Sequence, residues 1–252
     1  MALHRRNLLL GAAALGGLAA NPAGAQPEAW PVRQPRFVIP FAPGGGQDVF
    51  WRLLAERLSR RLRASFIVEN KGGAGGGLGA QEVVRAAPDG DTFLTTTSSI
   101  AILPALYPNL GFDPLRDLQP VSLVPEASMG FMVRPDSPIR DLVGLVVAAK
   151  AAPGRVTYGS SGTGTTTHMA AALFGVKAGM SWQHVPYGGQ GQLISGFLAG
   201  DVDVMSGDLG TLLPHHREGR GRVVAVTASQ RVGLLPDVPS VTEAVPGTGI
   251  TI

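Results

Sequence analysis

One local pattern, used several times, decides what this chain can fold into. An apolar strand runs into a glycine turn and out into an amphipathic helix. The first copy is Arg36-Phe-Val-Ile-Pro-Phe-Ala-Pro-Gly-Gly-Gly-Gln-Asp48. Phe37, Val38, Ile39 and Phe41 form the apolar run, and Pro43 with three glycines closes it. Phe50, Leu54, Leu58 and Leu62 then recur every four residues, opposite Arg52, Glu56, Arg60 and Arg63. This predicts a buried strand followed by a helix with one apolar face. Glycines at such a corner let the backbone approach a ligand closely. The first helical N–H groups lack intrahelical partners and lie at the positive end of the helix dipole, so they suit an anion. Any α/β protein turns from strand to helix in this way, so one copy alone assigns no function.

The pattern repeats. Phe66-Ile-Val68 reads as a strand, residues 69–77 as a second glycine-rich turn, and 79–87 as a helix stopped by Pro88-Asp89-Gly90. Residues 92–97 read as a third strand that ends in Ser98-Ser99. A proline-punctuated crossing follows (Leu106-Tyr-Pro-Asn, then Phe112-Asp-Pro-Leu-Arg-Asp117). Beyond it, short strands are predicted over 121–124 and 131–133 and a helix over 140–150. Val156-Thr-Tyr158 leads into Gly159-Ser-Ser-Gly-Thr-Gly-Thr-Thr-Thr-His168 and a helix from about 166 to 179, the same corner now carrying hydroxyls. Trp182-Gln-His-Val-Pro-Tyr187-Gly-Gly enters a helix through 198; a strand over 201–205, a helix over 208–218 and a strand over 222–227 complete the series. Such alternation argues for wound, mostly parallel sheets. Two sets of modules argue for two lobes facing a cleft at the carboxyl ends of their strands.

Composition narrows the function. The chain has 252 residues, 44% of them hydrophobic, enough for one large core or two small ones. The absence of cysteine excludes disulfides and thiolate metal sites. A net charge of +3, with no basic run beyond the first residues and few aromatics, gives nucleic-acid binding no support. His4-Arg5-Arg6-Asn7, an apolar stretch over 8–20 and Ala23-Gly24-Ala25 read as a signal peptide over residues 1–25. The paired arginines suit a twin-arginine signal, and Sec export fits as well. The expected location is the periplasm.

Candidate residues divide by what else explains them. Asp48 complements the helix dipole or meets a ligand donor. Ser160, Ser161, Thr163 and Thr165 donate to a carboxylate or cap the helix that follows. Tyr187 lines the cleft or packs at a hinge, and Asp208 caps a helix or contacts the ligand. His168, at a helix start, reads as an anchoring hydrogen-bond partner. His215 and His216 are adjacent, diverge on a helix and make poor joint metal ligands. Two enzyme readings stand as alternatives. Gly75-x-Gly77-x-x-Ala80 meets the loose dinucleotide fingerprint of an oxidoreductase, but no acid ends the next strand to hold a ribose. A Ser-dependent hydrolase would use Ser160 or Ser161, but Gly159-Ser-Ser-Gly-Thr is not the G-x-S-x-G elbow.

Several segments occur together in a fixed order. They are Pro40-Phe-Ala-Pro-Gly-Gly-Gly-Gln-Asp48, Glu69-Asn-Lys with Gly-Ala-Gly-Gly after it, Ala87-Pro-Asp-Gly90 and Phe112-Asp-Pro-Leu-Arg-Asp117. Ser160-Ser-Gly-Thr-Gly, His184-Val-Pro-Tyr-Gly and Leu235-Pro-Asp-Val-Pro-Ser-Val-Thr-Glu243 follow. In this they resemble the Bug family, the TctC-like receptors of tripartite tricarboxylate transporters, over about residues 30–247. The resemblance implies an α/β, two-lobed periplasmic-binding-protein-like (type II) fold, with lobe 1 from 26–99 and 223–252 and lobe 2 from 100–222. It implies a solute-binding protein rather than an enzyme, monomeric, without cofactor or metal. Its ligand would be a small carboxylate (amino acid, di- or tricarboxylate or aromatic acid), and its partners membrane transporter subunits. The acid group would be held by Phe41, Gly44, Gly45 and Asp48, by Ser98, and by Ser160, Gly162, Thr163 and Thr165. Gly72 stands where the family usually has proline. Family members also continue beyond Ile250-Thr-Ile252 with a Trp-Gly element and closing helices. The resemblance therefore implies a first lobe that is incomplete here, less stable and with apolar surface uncovered.

Overall fold

A computed structural model describes residues 30, 31, 33–124 and 128–250; the expected signal segment, 1–25, lies outside them. Strand β1 (Arg36–Ile39) is the middle of a three-stranded sheet, which explains its unbroken apolar run. It pairs in parallel with β2 (Ile67–Asn70) and β3 (Thr92–Leu94), and Val38 and Ile39 are fully buried. The Phe37 ring lies 5.0 Å from Trp51, 5.4 Å from Phe66 and 5.7 Å from Phe93, a small aromatic core. Helix α1 (Gly46–Leu62) follows β1 across the glycine corner; a 3-10 turn (Ala74–Gly76) and α2 (Gly77–Val84) follow β2. The buried face of α1 runs through Asp48, Trp51 and Ala55, while Phe50 and Leu62 are exposed beside Val49 and Leu53. Of the expected stripe, Leu54 and Leu58 are half-buried while its two ends are exposed, because Trp51 rather than Phe50 closes on Phe37.

Helix α3 (Ser99–Leu106) and the short α4 (Pro114–Asp117), capped by the Asp113 carboxylate, lead out of this sheet. Leu103 and Phe112 pack with Ala80 in a core of their own, so the chain stays with the first sheet well beyond residue 99. The strand expected at 121–124 does not form.

The second sheet contains β4 (Met129–Val133), β5 (Thr157–Ser160), β6 (Gln183–Pro186), β7 (Val204–Asp208) and β8 (Arg222–Val226), in the order β6-β5-β7-β4-β8. Strand β5 is parallel to β6 and β7, whereas β4 is antiparallel to both β7 and β8. The helices are α5 (Leu142–Ala151), α6 (Thr166–Ala178), α7 (Gln190–Ala199), α8 (Leu209–Arg217) and α9 (Val241–Ala244). Alternation along β4 separates two cores. Phe131 faces Leu142, Leu145 and Phe174; Met132 faces Leu193, Phe197 and Leu212. Burial on both faces makes this the larger hydrophobic mass of the molecule.

The expected lobe boundaries need correction at both ends. Val223 to Val226 do not return to the first sheet; they form β8, because β4 is buried along its whole length and requires a partner on each edge. Val241 and Ile250 join the Phe131 core, Leu235 and Val238 join the Met132 core, and Lys177 Nζ donates to the Gly249 carbonyl. Residues 223–250 thus belong with the second sheet. Strand β6 escapes the sequence because it is a half-exposed edge strand without apolar alternation. Strand β7 starts three residues later than expected: the Asp203 carboxylate accepts from the Thr157 N–H at 2.8 Å and its hydroxyl at 2.9 Å, ahead of the ladder. Contacts nevertheless unite Gln34–Ile252 in one unit.

Candidate functional site

The two sheets meet through their loops. Gly189 packs so closely on Ala42 that a Cβ there would sit 2.6 Å from the Ala42 Cβ, and one on Gly75 would lie 2.7 Å from the Thr163 carbonyl. A Cβ on Gly45 would lie 3.2 Å from the Gln190 side chain. Between these contacts lies a narrow cleft with about 20 Å³ of open volume.

Its walls are helix beginnings. Gly45 to Asp48 open α1, Thr97 precedes α3, Thr165 and Thr166 open α6, Gln190 opens α7 and Asp208 immediately precedes α8. Phe41, Ala42 and Ser161 complete the lining. Among the described residues, no lysine or arginine lines it. Positive potential therefore comes from the ends of several helices and their unpaired N–H groups rather than from cationic side chains.

Asp48 is buried at this corner. Its Oδ2 accepts from the Gly44 N–H at 3.1 Å and its Oδ1 from Arg52 at 3.0 Å. Burial acts to raise its pKa, but the hydrogen bonds from Arg52 and Gly44 outweigh it and hold the carboxyl below its ordinary value. Asn70 braces the same corner, donating to the Phe41 carbonyl while accepting from Arg52. With φ of +87°, Gly44 occupies the left-handed conformation that aims its N–H at Asp48.

The hydroxyl corner is more heavily committed than its sequence implies. Thr165 caps α6 by accepting from the His168 N–H and donates to the Gly162 carbonyl at 2.7 Å. Ser161 Oγ pairs with Thr167 Oγ1 at 2.9 Å. Ser160 is fully buried, its Oγ 2.6 Å from His184 Nε2. His184 stacks on His168 with ring centroids 3.9 Å apart, and Tyr158 and Trp182 continue the stack. Burial, then the neighbouring His168, pushes the His184 pKa down to about 4; burial also lowers that of His168. His168 Nδ1 accepts from the Gly164 N–H, the anchoring role expected of it.

Of the expected site residues, Phe41, Gly45, Asp48, Thr165 and Asp208 line the cleft. Gly44, Ser160 and Gly162 support its corners from behind. Ser98 is exposed, and Thr97 holds the position assigned to it. Thr163 is exposed and presents its carbonyl to the Gly75 turn. Tyr187 lines a separate, outer groove with Pro43, Gln192 and Asp201. The sequence reading passed over Gly46, Gln47, Thr97, Thr166 and Gln190 as site residues. The same corner rule, applied to the residues immediately before and after each helix start, would have found them.

Comparison with known proteins adds the relatives. The family model for the tripartite tricarboxylate transporter family receptor, TctC, matches residues 50–251. A Cupriavidus necator protein, "UPF0065 protein in gbd 5′region", is 36% identical over 248 residues, spanning 98% of this chain and 74% of that one. The structure of the periplasmic binding protein BugD superposes with a TM-score of 0.83 at 31% identity, covering 88% of this chain and 74% of BugD. An R. palustris protein solved with adipate also gives 0.83 at 31% identity, with 86% and 74% covered.

Proposed function

This chain belongs to the tripartite tricarboxylate transporter receptor family, TctC, and from that premise we propose that it captures a small carboxylate in the cleft between its two sheets. The ligand is taken up in the periplasm and presented to the membrane subunits of a tripartite transporter. The observation that carries this reading is the cleft wall itself: several helix starts converge on it, and no cationic side chain lines it among the described residues. Backbone N–H groups and hydroxyls suit a carboxylate group without demanding a particular remainder. The adipate bound to the R. palustris relative has that chemistry.

The hydrolase alternative finds a Ser–His contact in Ser160 and His184, but the wrong surroundings. Ser160 is fully buried behind the cleft, and His184 stacks on another histidine; among the described residues no carboxylate orients it. A nucleophile in that position meets no substrate.

Thermal melting in the presence of aspartate, glutamate, citrate, nicotinate, malate and adipate tests the proposal. At least one acid should raise the melting temperature saturably, while its carboxamide analogue should not, because a ligand that prefers the folded state stabilises it by mass action. Equal shifts with acid and amide, or none with any acid, would remove the carboxylate reading.

A further inference from the structure

The turn that opens α6 is held from behind by an imidazole and touches the first half of the molecule in front. Its Gly164, at φ of +83°, donates its N–H to His168 Nδ1 at 3.1 Å. A Cβ on Gly164 would sit 2.7 Å from Leu106 Cδ1 on α3, and the neighbouring Thr163 carbonyl meets the Gly75 turn. Thr165 and Thr166, next in the chain, line the cleft. One hydrogen bond thus anchors both a wall of the cleft and a contact between the two halves. The cleft has about 20 Å³ of open volume, room for about one water molecule, so a carboxylate enters or leaves only as those halves part.

That bond depends on the charge of His168. An accepting Nδ1 puts the ring proton on Nε2; a second proton must go to Nδ1, where it would face the Gly164 N–H, donor against donor. His184 is stacked 3.9 Å away, so a charge on either ring disfavours one on the other. Its Nε2 lies 2.6 Å from Ser160 Oγ, which bonds the Gly162 N–H and carbonyl just ahead of the turn. Tyr158 stacks on His184 at 5.0 Å and on His168 at 6.5 Å, and its phenol, pushed up to about 12 by burial, stays neutral. The uncharged Trp182 ring lies against Tyr158. Among the described residues no carboxylate hydrogen-bonds to either imidazole, so no anion offsets an imidazolium there. Both rings are half-buried rather than sealed, so protons reach them.

We propose that the His168–His184 stack is an acid-sensitive latch on the cleft. Neutral, it holds the Gly164 turn against the first half; protonated, it frees the turn, lets the halves part and releases the ligand. This rests on the carboxylate reading of the cleft. Its sign follows from linkage. The held form keeps both rings neutral below the ordinary histidine value of 6.5, whereas the parted form takes up protons nearer that value. Affinity is therefore complete above about pH 6.5 and falls as pH drops toward 4, the value of His184 in the held form.

Calorimetric titration of adipate, malate and citrate into the unmodified chain and into His168→Asn, from pH 7.5 to 4.5, tests it. The asparagine Oδ1 replaces Nδ1 as acceptor and does not titrate, and protonation of the acid itself is common to both chains. For an acid that binds, Kd of the unmodified chain should rise about tenfold or more beyond that of the variant over this range. One linked proton allows up to about tenfold per pH unit. Parallel curves would overturn the latch and leave the carboxylate reading intact. A second measurement needs neither ligand nor variant. Amide exchange of the unmodified chain, corrected for the intrinsic effect of pH, should quicken on acidification in residues 159–168. Helix α5, packed in the same Phe131 core and without a histidine, should lag. Equal quickening in both segments, or none at the corner, would overturn the latch even where no acid binds. Selective quickening at the corner, with every acid failing to bind, would remove the carboxylate reading alone.

Discussion

His184 and His168 show how much of the candidate site is built from residues set behind the cleft. The corner that opens α6 must present N–H groups outward while its own hydroxyls are occupied, and the stacked imidazoles behind it hold Ser160 and the Gly164 N–H in place. Both rings are neutral at pH 7, since burial lowers each pKa and a second positive charge 3.9 Å away would be strongly disfavoured. Depressed histidine pKa values give a definite sign to the pH dependence. The unfolded chain takes up protons near pH 6.5 while the folded one resists until about 4 at His184, so stability is complete above about pH 6.5 and is lost as pH falls toward 4. Asp48, with its lowered pKa, acts in a separate window: its contribution is present above the ordinary carboxylate pKa and is lost below it. His184→Gln keeps a polar partner for Ser160 but cannot titrate. Thermal melts of this variant should therefore fall less steeply than the unmodified protein between pH 6.5 and 4.5. Parallel curves would assign the acid sensitivity to carboxylates instead.

At the scale of elements, the site is a set of strand-to-helix corners pressed together. Gly45 has an ordinary φ of −85°, so its requirement is space rather than conformation: its Cα faces the Gln190 side chain. Gly45→Val would drive the α1 start away from α7. Overpacking of this kind costs about 1–3 kcal/mol, which taken from the bound state is roughly 5- to 150-fold in Kd. Binding should suffer by that amount while circular dichroism stays unchanged. Unchanged affinity in a folded variant would place the ligand elsewhere. The corners are also what could be read in advance. The glycine runs at 44–46 and 72–77 and the hydroxyl run at 160–167 are contiguous signals, and each sits where a strand ends and a helix begins. What could not be read is long-range. Neither Val223-Val-Ala-Val226 nor the Leu235-to-Ile250 segment says which sheet it joins, because an apolar strand carries no label for its partner. The choice follows from β4, whose edge would otherwise lie open. Gln190 likewise enters the cleft wall only when two distant corners touch.

For the molecule as a whole, the two sheets are unequal, and that inequality sets where the chain opens first. The five-stranded sheet is covered on both faces: β4 is buried throughout, and β7 and β8 are buried at all but one end residue. In the three-stranded sheet only β1 reaches that state; β2 and β3 are half-buried along their whole length, and α1 leaves Val49, Phe50 and Leu53 in solvent. Backbone groups open more readily where few apolar contacts must be broken. Amide hydrogen exchange should thus be fastest in β2, β3 and the outer turns of α1, and slowest in β4, β7 and the helices packed on them. A carboxylate held in the proposed cleft would touch both halves at once, so it should add protection at two separated places, the first turn of α1 and the first turn of α6. The stabilising increment is on the order of 2.7 kcal/mol at a hundredfold excess over Kd, and it should slow every amide that exchanges through parting of the sheets. Mass-spectrometric exchange with and without a binding acid separates the possibilities. Protection confined to one of the two turns would mean that the ligand sits on one sheet alone. Equal exchange in β2 and β4 without ligand would mean that the smaller sheet is as firmly held as the larger, against the difference in their burial.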